Sequence, residues 1–479
     1  MPNPIVRKRW RARRNIPRKT FVDRRQELAQ LNDAWASGHS ELYIVYGKRR
    51  VGKTELLKHF AAAGPRIYFL ADRRPDRQQL LDLAQRVGAA MGDRFVGQKG
   101  FSDWLEPFRY LEEKTEDRWL LIMDEFPYLV ENNPTLPSLL QKAWDEHLKG
   151  TRAFVVLCGS SIGMMESLLA SRSPIHGRRT GSFEVKPFTF QQLKELLPRK
   201  SFEERMEYYS LLGGMPGYIA QFDLEANVEE NLKRNFLKPD CFLYREVEFL
   251  VREELREPRY YLAILQAVAL GKHKFGEIAN ATGLGQNILS KYLQILERLH
   301  LIVKDYPVTE PRPLKSKTGL YFIKDNFVRS WFELLLPYRS ELELGNYSSS
   351  LKRWKEGRLL SAGYEQVSRE LAREYWIGKG ISVNRLGKWW AKDAELDIVG
   401  YSEESGEIIF GEAKWSNKKV GINIYQHLKN TAGQVQWGKP DRSEHFCLFS
   451  RSGFTPEMIA LARQEKVTLF HGDRVVSGK

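Results

Sequence analysis

Apolar residues along this chain follow two different periods. Three short runs, Leu42–Tyr46, Trp119–Met123 and Ala153–Ser161, are nearly continuous, as expected of strands buried on both faces of a parallel sheet. The first ends at Gly47, and a helical pattern begins near Lys53. The stretch SFEERMEYYSLLGGMPGYIAQF and the acidic–apolar segment after it read as helices. A new unit opens at Pro258, followed by a short helix (Phe275–Ala281), the turn Thr282-Gly283-Leu284 and a longer helix with Leu289, Leu293, Leu296 and Leu299 on one face. LIVKDYPV then supplies a strand, and an apolar helical connector runs to a boundary at Gly345-Asn346.

Past residue 350, Leu360, Tyr364, Val367, Leu371 and Tyr375 recur at helical spacing. ISVNRLGKWW, AELDIVGY and EIIFGEAKW follow as strands, then a helix (Tyr425–Trp437) and the strand HFCLFS. The expected class is α/β. Its domains are a basic arm (1–20), a parallel-sheet domain with a phosphate-binding loop (21–195), a helical lid (196–256), a tri-helical unit with connector (257–345) and a small α/β domain (346–479).

Composition narrows this picture. A chain of 479 residues exceeds one ordinary core, and 42% apolar with 28% charged residues describes a globular protein. No apolar run approaches the ~20 residues a membrane span requires. Cys158, Cys241 and Cys447 have neither ligand spacing nor an even count, so no disulfide framework or zinc site is expected, and the expected compartment is the cytoplasm. The net charge of +15 points to a polyanionic partner. Eight basic residues and no acid occupy Arg7–Lys19. This is either a solvated arm or one whose Arg11 and Arg13 neutralise phosphates while Trp10 stacks on a base.

The most specific chemistry lies in GKRRVGKTE, residues Gly47, Lys48, Arg49, Arg50, Val51, Gly52, Lys53, Thr54 and Glu55. Gly-x4-Gly-Lys-Thr between a strand and a helix turns backbone N–H groups toward phosphate oxygens. Lys53 then reaches the β- and γ-phosphates of ATP, and Thr54 ligates Mg2+. The strand after Arg118 delivers Asp124 to hold Mg2+ through water and Glu125 to orient or deprotonate the attacking water. Ser160 or Ser161 is placed to sense the γ-phosphate. Arg178 or Arg179 is the choice for an arginine finger, in cis or across a homo-oligomer interface.

FVDRRQEL, GKRRVGKTEL, LIMDEFPYL, CGSSIGMMESLL, GRRTGSFEVKPF and LLGGMPGYI occur in an order and spacing that resemble the archaeal-type ATPases of the STAND branch of the AAA+ class. That family includes members with a C-terminal nuclease-like domain. The resemblance implies that Phe21 and Arg24 lie near the adenine pocket. It also implies that Gly213–Tyr218 takes the nucleotide-sensing place, with Pro216 near the base.

The middle unit resembles a winged helix-turn-helix, with Asn287, Ser290 and Lys291 on the exposed side of its second helix and able to face a DNA groove. At the C-terminus, alternation puts Glu412 and Lys414 on one side of their strand, and a hairpin brings Asp397 beside Glu412. Glu365, Asp397 and Glu412-x-Lys414 resemble the PD-(D/E)XK nucleases, with Leu396 where the leading proline would stand. Asp397 and Glu412 would hold Mg2+ or Mn2+, and Lys414 would stabilise phosphate charge. Glu395 replaces Asp397 only if the register shifts by two, and Gln434 is a further polar choice. Two functions are therefore expected of the sequence: an ATP-regulated nuclease acting on DNA, or an ATP-dependent DNA- or protein-binding switch that cuts nothing.

Overall fold

Five strands form a wholly parallel sheet in the computed structural model, which describes residues 21–60, 64–255, 257–316, 318–438 and 442–477. The basic arm, with Trp10, Arg11 and Arg13, lies outside the described residues. The strands are β1 (Glu41–Tyr46), β2 (Arg66–Leu70), β3 (Trp119–Asp124), β4 (Ala153–Gly159) and β5 (Gly181–Glu184), in the order β2-β3-β4-β1-β5. Every residue of β3 and β4 is buried, which accounts for their unbroken apolar character. Each fully buried Val, Leu or Ile contributes about 1.5–3 kcal/mol. All five strands run the same way, so the segments after β1, β3 and β4 emerge at one edge of the sheet.

This sheet belongs to a first compact unit, made of the described residues within 21–160 and 164–185; those within 161–163 and 186–477 form a second. Helix α1 (Lys53–His59) follows β1 in the first unit; within the second unit, α2 (Phe202–Leu212) begins with a capping box between Ser201 and Glu204. The turn after it packs backbone on backbone: Phe188 N–H donates to the Gly214 carbonyl at 2.8 Å. A Cβ at Gly214 would lie 1.7 Å from the Phe188 oxygen. Gly214→Ala is therefore expected to cost at least about 4 kcal/mol, a loss that a urea melt would read directly.

Three helices follow, α3 (Pro258–Ala269), α4 (Phe275–Thr282) and α5 (Gln286–Arg298), and then an antiparallel ribbon of β6 (Ile302–Asp305) and β7 (Leu320–Ile323). Leu289, Leu293 and Leu296 of α5 are buried, as their spacing requires. Asn287 and Lys291 are exposed, whereas Ser290 is half-buried.

The C-terminal part is a six-stranded mixed sheet ordered β13-β12-β11-β10-β9-β8. Its strands are β8 (Arg385–Ala391), β9 (Ala394–Ser402), β10 (Glu407–Lys414), β11 (Ser443–Ser450), β12 (Thr468–His471) and β13 (Arg474–Ser477). Helix α6 (Arg358–Gly378) precedes them; α7 (Ile422–Ala432) and α8 (Pro456–Glu465) are interspersed. Two expectations are corrected here. The buried stripe of α6 includes Leu359 and Trp376, while Leu360 and Tyr375 are only half-buried. An average spacing of 3.6 residues shifts the buried face along so long a helix. Helix α7 stops at Ala432 rather than Trp437, beside Gly433. The ribbon is tied to this sheet: Val308 N–H donates to the Lys388 carbonyl at 2.9 Å, and Tyr401 Oη–H to the Val308 carbonyl at 3.3 Å.

Candidate functional site

The loop after β1 turns through Gly47 and Gly52, at φ 149° and 99°, conformations that L side chains rarely adopt. A Cβ at Gly47 would meet the Val185 carbonyl oxygen at 2.3 Å, so steric contact as well as φ requires glycine there. Lys53 is buried, with its ammonium donating to the carbonyls of Gly47 and Lys48 at 2.9 and 3.1 Å. The next residue, Thr54, donates its hydroxyl to Asp124 Oδ2 at 2.8 Å.

That bond joins the loop to the end of β3, two strands away across β4. Asp124 is nearly inaccessible, and its other oxygen accepts from the Glu125 N–H at 2.9 Å. Tyr68 of β2 also donates to Asp124 Oδ2. Burial and that carboxylate push the Tyr68 phenol well above its usual range, so it is a permanent donor. Glu125 sits on left-handed backbone, φ 52°, and its carboxylate accepts from the Ser160 hydroxyl at 2.8 Å. Thr54, Asp124, Glu125 and Ser160 are thus brought together at one sheet edge. The donor set fits Mg2+: a hydroxyl and a carboxylate share one contact, with an acid beside them.

Arg49 donates to the Tyr128 hydroxyl at 2.9 Å, Arg50 adopts φ 66°, and Glu55 pairs with Lys58 at 3.6 Å. Arg24 donates to the Val51 carbonyl at 2.9 Å and pairs with Glu27; Phe21 stacks on His59 with ring centroids 4.0 Å apart. Arg178 forms an ion pair with Asp145 at 2.9 Å, and Arg179 donates to the Ser182 hydroxyl at 3.0 Å. Pro216 opens the four-residue helix Pro216–Ile219, and Ser161 is half-buried; both belong to the second unit.

A second constellation lies on the C-terminal sheet. Asp397 and Glu412 are 9% and 8% exposed. Asp397 Oδ2 accepts the Ala413 N–H at 3.0 Å, which sets the two acids side by side across β9 and β10. Burial, then Glu412, then Glu365, push Asp397 up to about 7. Lys414 Nζ lies 2.5 Å from Glu412 Oε1, and Lys388 Nζ lies 2.5 Å from Glu365 Oε2. Arg369 of α6 donates to the Asp397 carbonyl at 3.0 Å.

The alternation assumed for β9 fails at this point. Leu396, Val399 and Tyr401 enter the same core, because the β8–β9 register shifts between Gly387 and Trp389. Glu395 remains at the rim, 60% exposed, and Gln434 is exposed beyond the end of α7. Lys388, Arg369 and Tyr68 are the residues that reading the sequence missed. Each reaches its partner from a neighbouring element, and no local motif marks it. Among the described residues no group of three or more His, Cys, Asp or Glu side chains is arranged to hold a metal ion. Two buried, mutually repelling carboxylates with a lysine nevertheless suit a divalent cation by donor chemistry, with water completing the ligands.

A family model for an ATPase domain predominantly from Archaea matches residues 21–222, and a model for archaeal and bacterial proteins of unknown function matches residues 331–424. An uncharacterized protein of Methanocaldococcus jannaschii is 34% identical over 418 residues, covering 85% of this chain and 92% of its own length. A shorter uncharacterized ATP-binding protein of the same organism is 50% identical over 40 residues, covering 8% of this chain and 68% of its own. Among solved structures, a Walker-type ATPase of Pyrococcus abyssi aligns with a TM-score of 0.50 at 24% identity, over 66% of this chain and 97% of that one.

Proposed function

Because the chain belongs to the family of ATPases found predominantly in Archaea, we propose that it uses nucleotide state to control DNA binding and metal-dependent cleavage of nucleic acid. ATP binding and hydrolysis belong to the first unit; the regulated activity is assigned to the second. The observation that carries this reading is the convergence of Asp397, Glu412 and Lys414 with Glu365, from four positions spread over 50 residues, on one end of the C-terminal sheet.

On this reading, Gly47 to Thr54 would hold the phosphates, Thr54 and Asp124 would hold Mg2+, and Glu125 would take a proton from the attacking water. Ser160 orients Glu125 through its hydroxyl. At the C-terminus, Asp397 and Glu412 would hold Mg2+ or Mn2+, which when bound supplies Lewis acidity to a phosphodiester. Lys414 would stabilise the developing charge on the phosphate. Three helices followed by a ribbon support a winged helix-turn-helix, and exposed Asn287 and Lys291 are its assigned groove contacts.

Among the described residues no helix is long and apolar enough to cross a membrane.

A second reading has its own support. Lys388 and Lys414 each already occupy a carboxylate, as they would in a site kept as an ion-paired core of a DNA- or protein-binding switch. Incubating plasmid with wild-type and Lys414→Ala protein, with and without ATP and Mn2+, separates the two. Nicking by wild type alone is expected; equal nicking by both proteins sinks the assignment to this site. Absence of nicking, with nucleotide- and salt-sensitive DNA binding retained, selects the switch.

A further inference from the structure

Lys388 sits where the sheet is irregular. Gly387 pairs with Val399 and Trp389 with Leu396, so Lys388 alone faces both Asp397 and Ile398. Bulges of this kind re-aim side chains at the margins of functional sites. The ammonium reaches two carboxylates of different character. Glu365, 2.5 Å away and 23% exposed, belongs with Asp397 and Glu412; Glu395, 3.4 Å away and 60% exposed, is at the rim. The backbone of Lys388 is pinned, because its carbonyl accepts the Val308 N–H. Movement between the two acids is therefore left to the side chain.

We propose that Lys388 is the resident counter-ion of the C-terminal acid site, and that a divalent cation displaces it from Glu365 onto Glu395. The proposal rests on the reading of that site as a metal site. Glu412 and Glu365, the two acids that act on Asp397, must be compensated while no metal is bound, since an uncompensated buried charge is strongly destabilising. Lys414 compensates Glu412, and Lys388 compensates Glu365. A lysine suits a removable cation: it is a point charge on a flexible stem, whereas an arginine fork would hold its carboxylate bidentately. An incoming metal ion meets repulsion from Lys388 while the ammonium remains on Glu365, and Glu395 supplies the place to which it withdraws.

The test is titration of Mn2+ alone into nucleotide-free, full-length protein, reading free Mn2+ by electron paramagnetic resonance. Binding lost in Asp397→Asn defines the site. Lys388→Met, which keeps the stem and removes the charge, is expected to bind Mn2+ about tenfold more tightly. Glu395→Gln, which removes the landing place, is expected to bind it about threefold more weakly. A folded Lys388→Met protein that binds Mn2+ equally or more weakly overturns the proposal and makes Lys388 a fixed strut for Glu365. Should Lys388→Met fail to fold, unchanged affinity in Glu395→Gln overturns it instead, since that residue is exposed. Wild-type protein without an Asp397-dependent site removes the metal reading and this proposal together; normal wild-type binding with unaltered variants removes this proposal alone.

Discussion

Glu125→Gln is expected to reduce ATP hydrolysis by about 10²–10⁴-fold, the usual contribution of a positioned general base, with ATP binding nearly unchanged. The substitution preserves shape and leaves an amide oxygen to accept from Ser160, which donates to Glu125 Oε2 at 2.8 Å. It removes only the capacity to take a proton. Residues with positive φ and a side chain are held by their surroundings at a cost of about 1–3 kcal/mol and recur at functional sites. Glu125 is such a residue, at φ 52° immediately after buried β3. Lys53→Ala provides the contrast: it removes an ammonium already lodged among the loop carbonyls, so it should abolish binding and hydrolysis together. Phosphate release and fluorescent-nucleotide binding, measured on both variants, check the pair. Hydrolysis by Glu125→Gln within a few-fold of wild type would reassign the base.

Asp397→Asn is expected to remove Mn2+-dependent nicking, at least about 100-fold, because loss even of a ligand's hydrogen-bonding partner costs 10–100-fold. The same change should stabilise the metal-free protein at neutral pH. Asp397 is raised from 3.8 to about 7 by burial and by Glu412 and Glu365. The folded chain therefore holds this proton more tightly than the unfolded chain does. As pH rises from about 4 to about 7 the unfolded state loses the proton first, so stability falls across that window and stays low above it. Asparagine carries no such penalty. Relative to wild type, the variant should gain roughly 2 kcal/mol at pH 8 and almost nothing at pH 4. Urea melts at the two pH values check this. A variant less stable than wild type at pH 8 would mean that the acid is compensated by a partner stronger than Lys388 or Lys414.

Local patterns determined a good deal of this protein. The loop Gly47–Thr54, the buried strands β3 and β4, and the acids Asp124 and Glu125 are legible because their chemistry needs residues adjacent in sequence. The helices of the middle unit are legible for the same reason, since a period of 3.6 residues repeats within one segment. The triad of Asp397, Glu412 and Lys414 was also readable, because β9 and β10 form a hairpin and a hairpin is local.

Tertiary structure decided the rest. Tyr68 acts on Asp124 from a strand 56 residues away in sequence, and nothing in RIYFL sets that tyrosine apart from an ordinary strand residue. Lys388 faces the acids because one register shift breaks the two-residue alternation on which the reading of β9 depended. The partners of Arg178 and Glu365 were equally hidden, since an ion pair depends on a few ångströms between side chains. Periodicity fixes which face a residue presents within its own element. Which charges meet is set by how elements are registered against one another, and that is determined only when the chain packs.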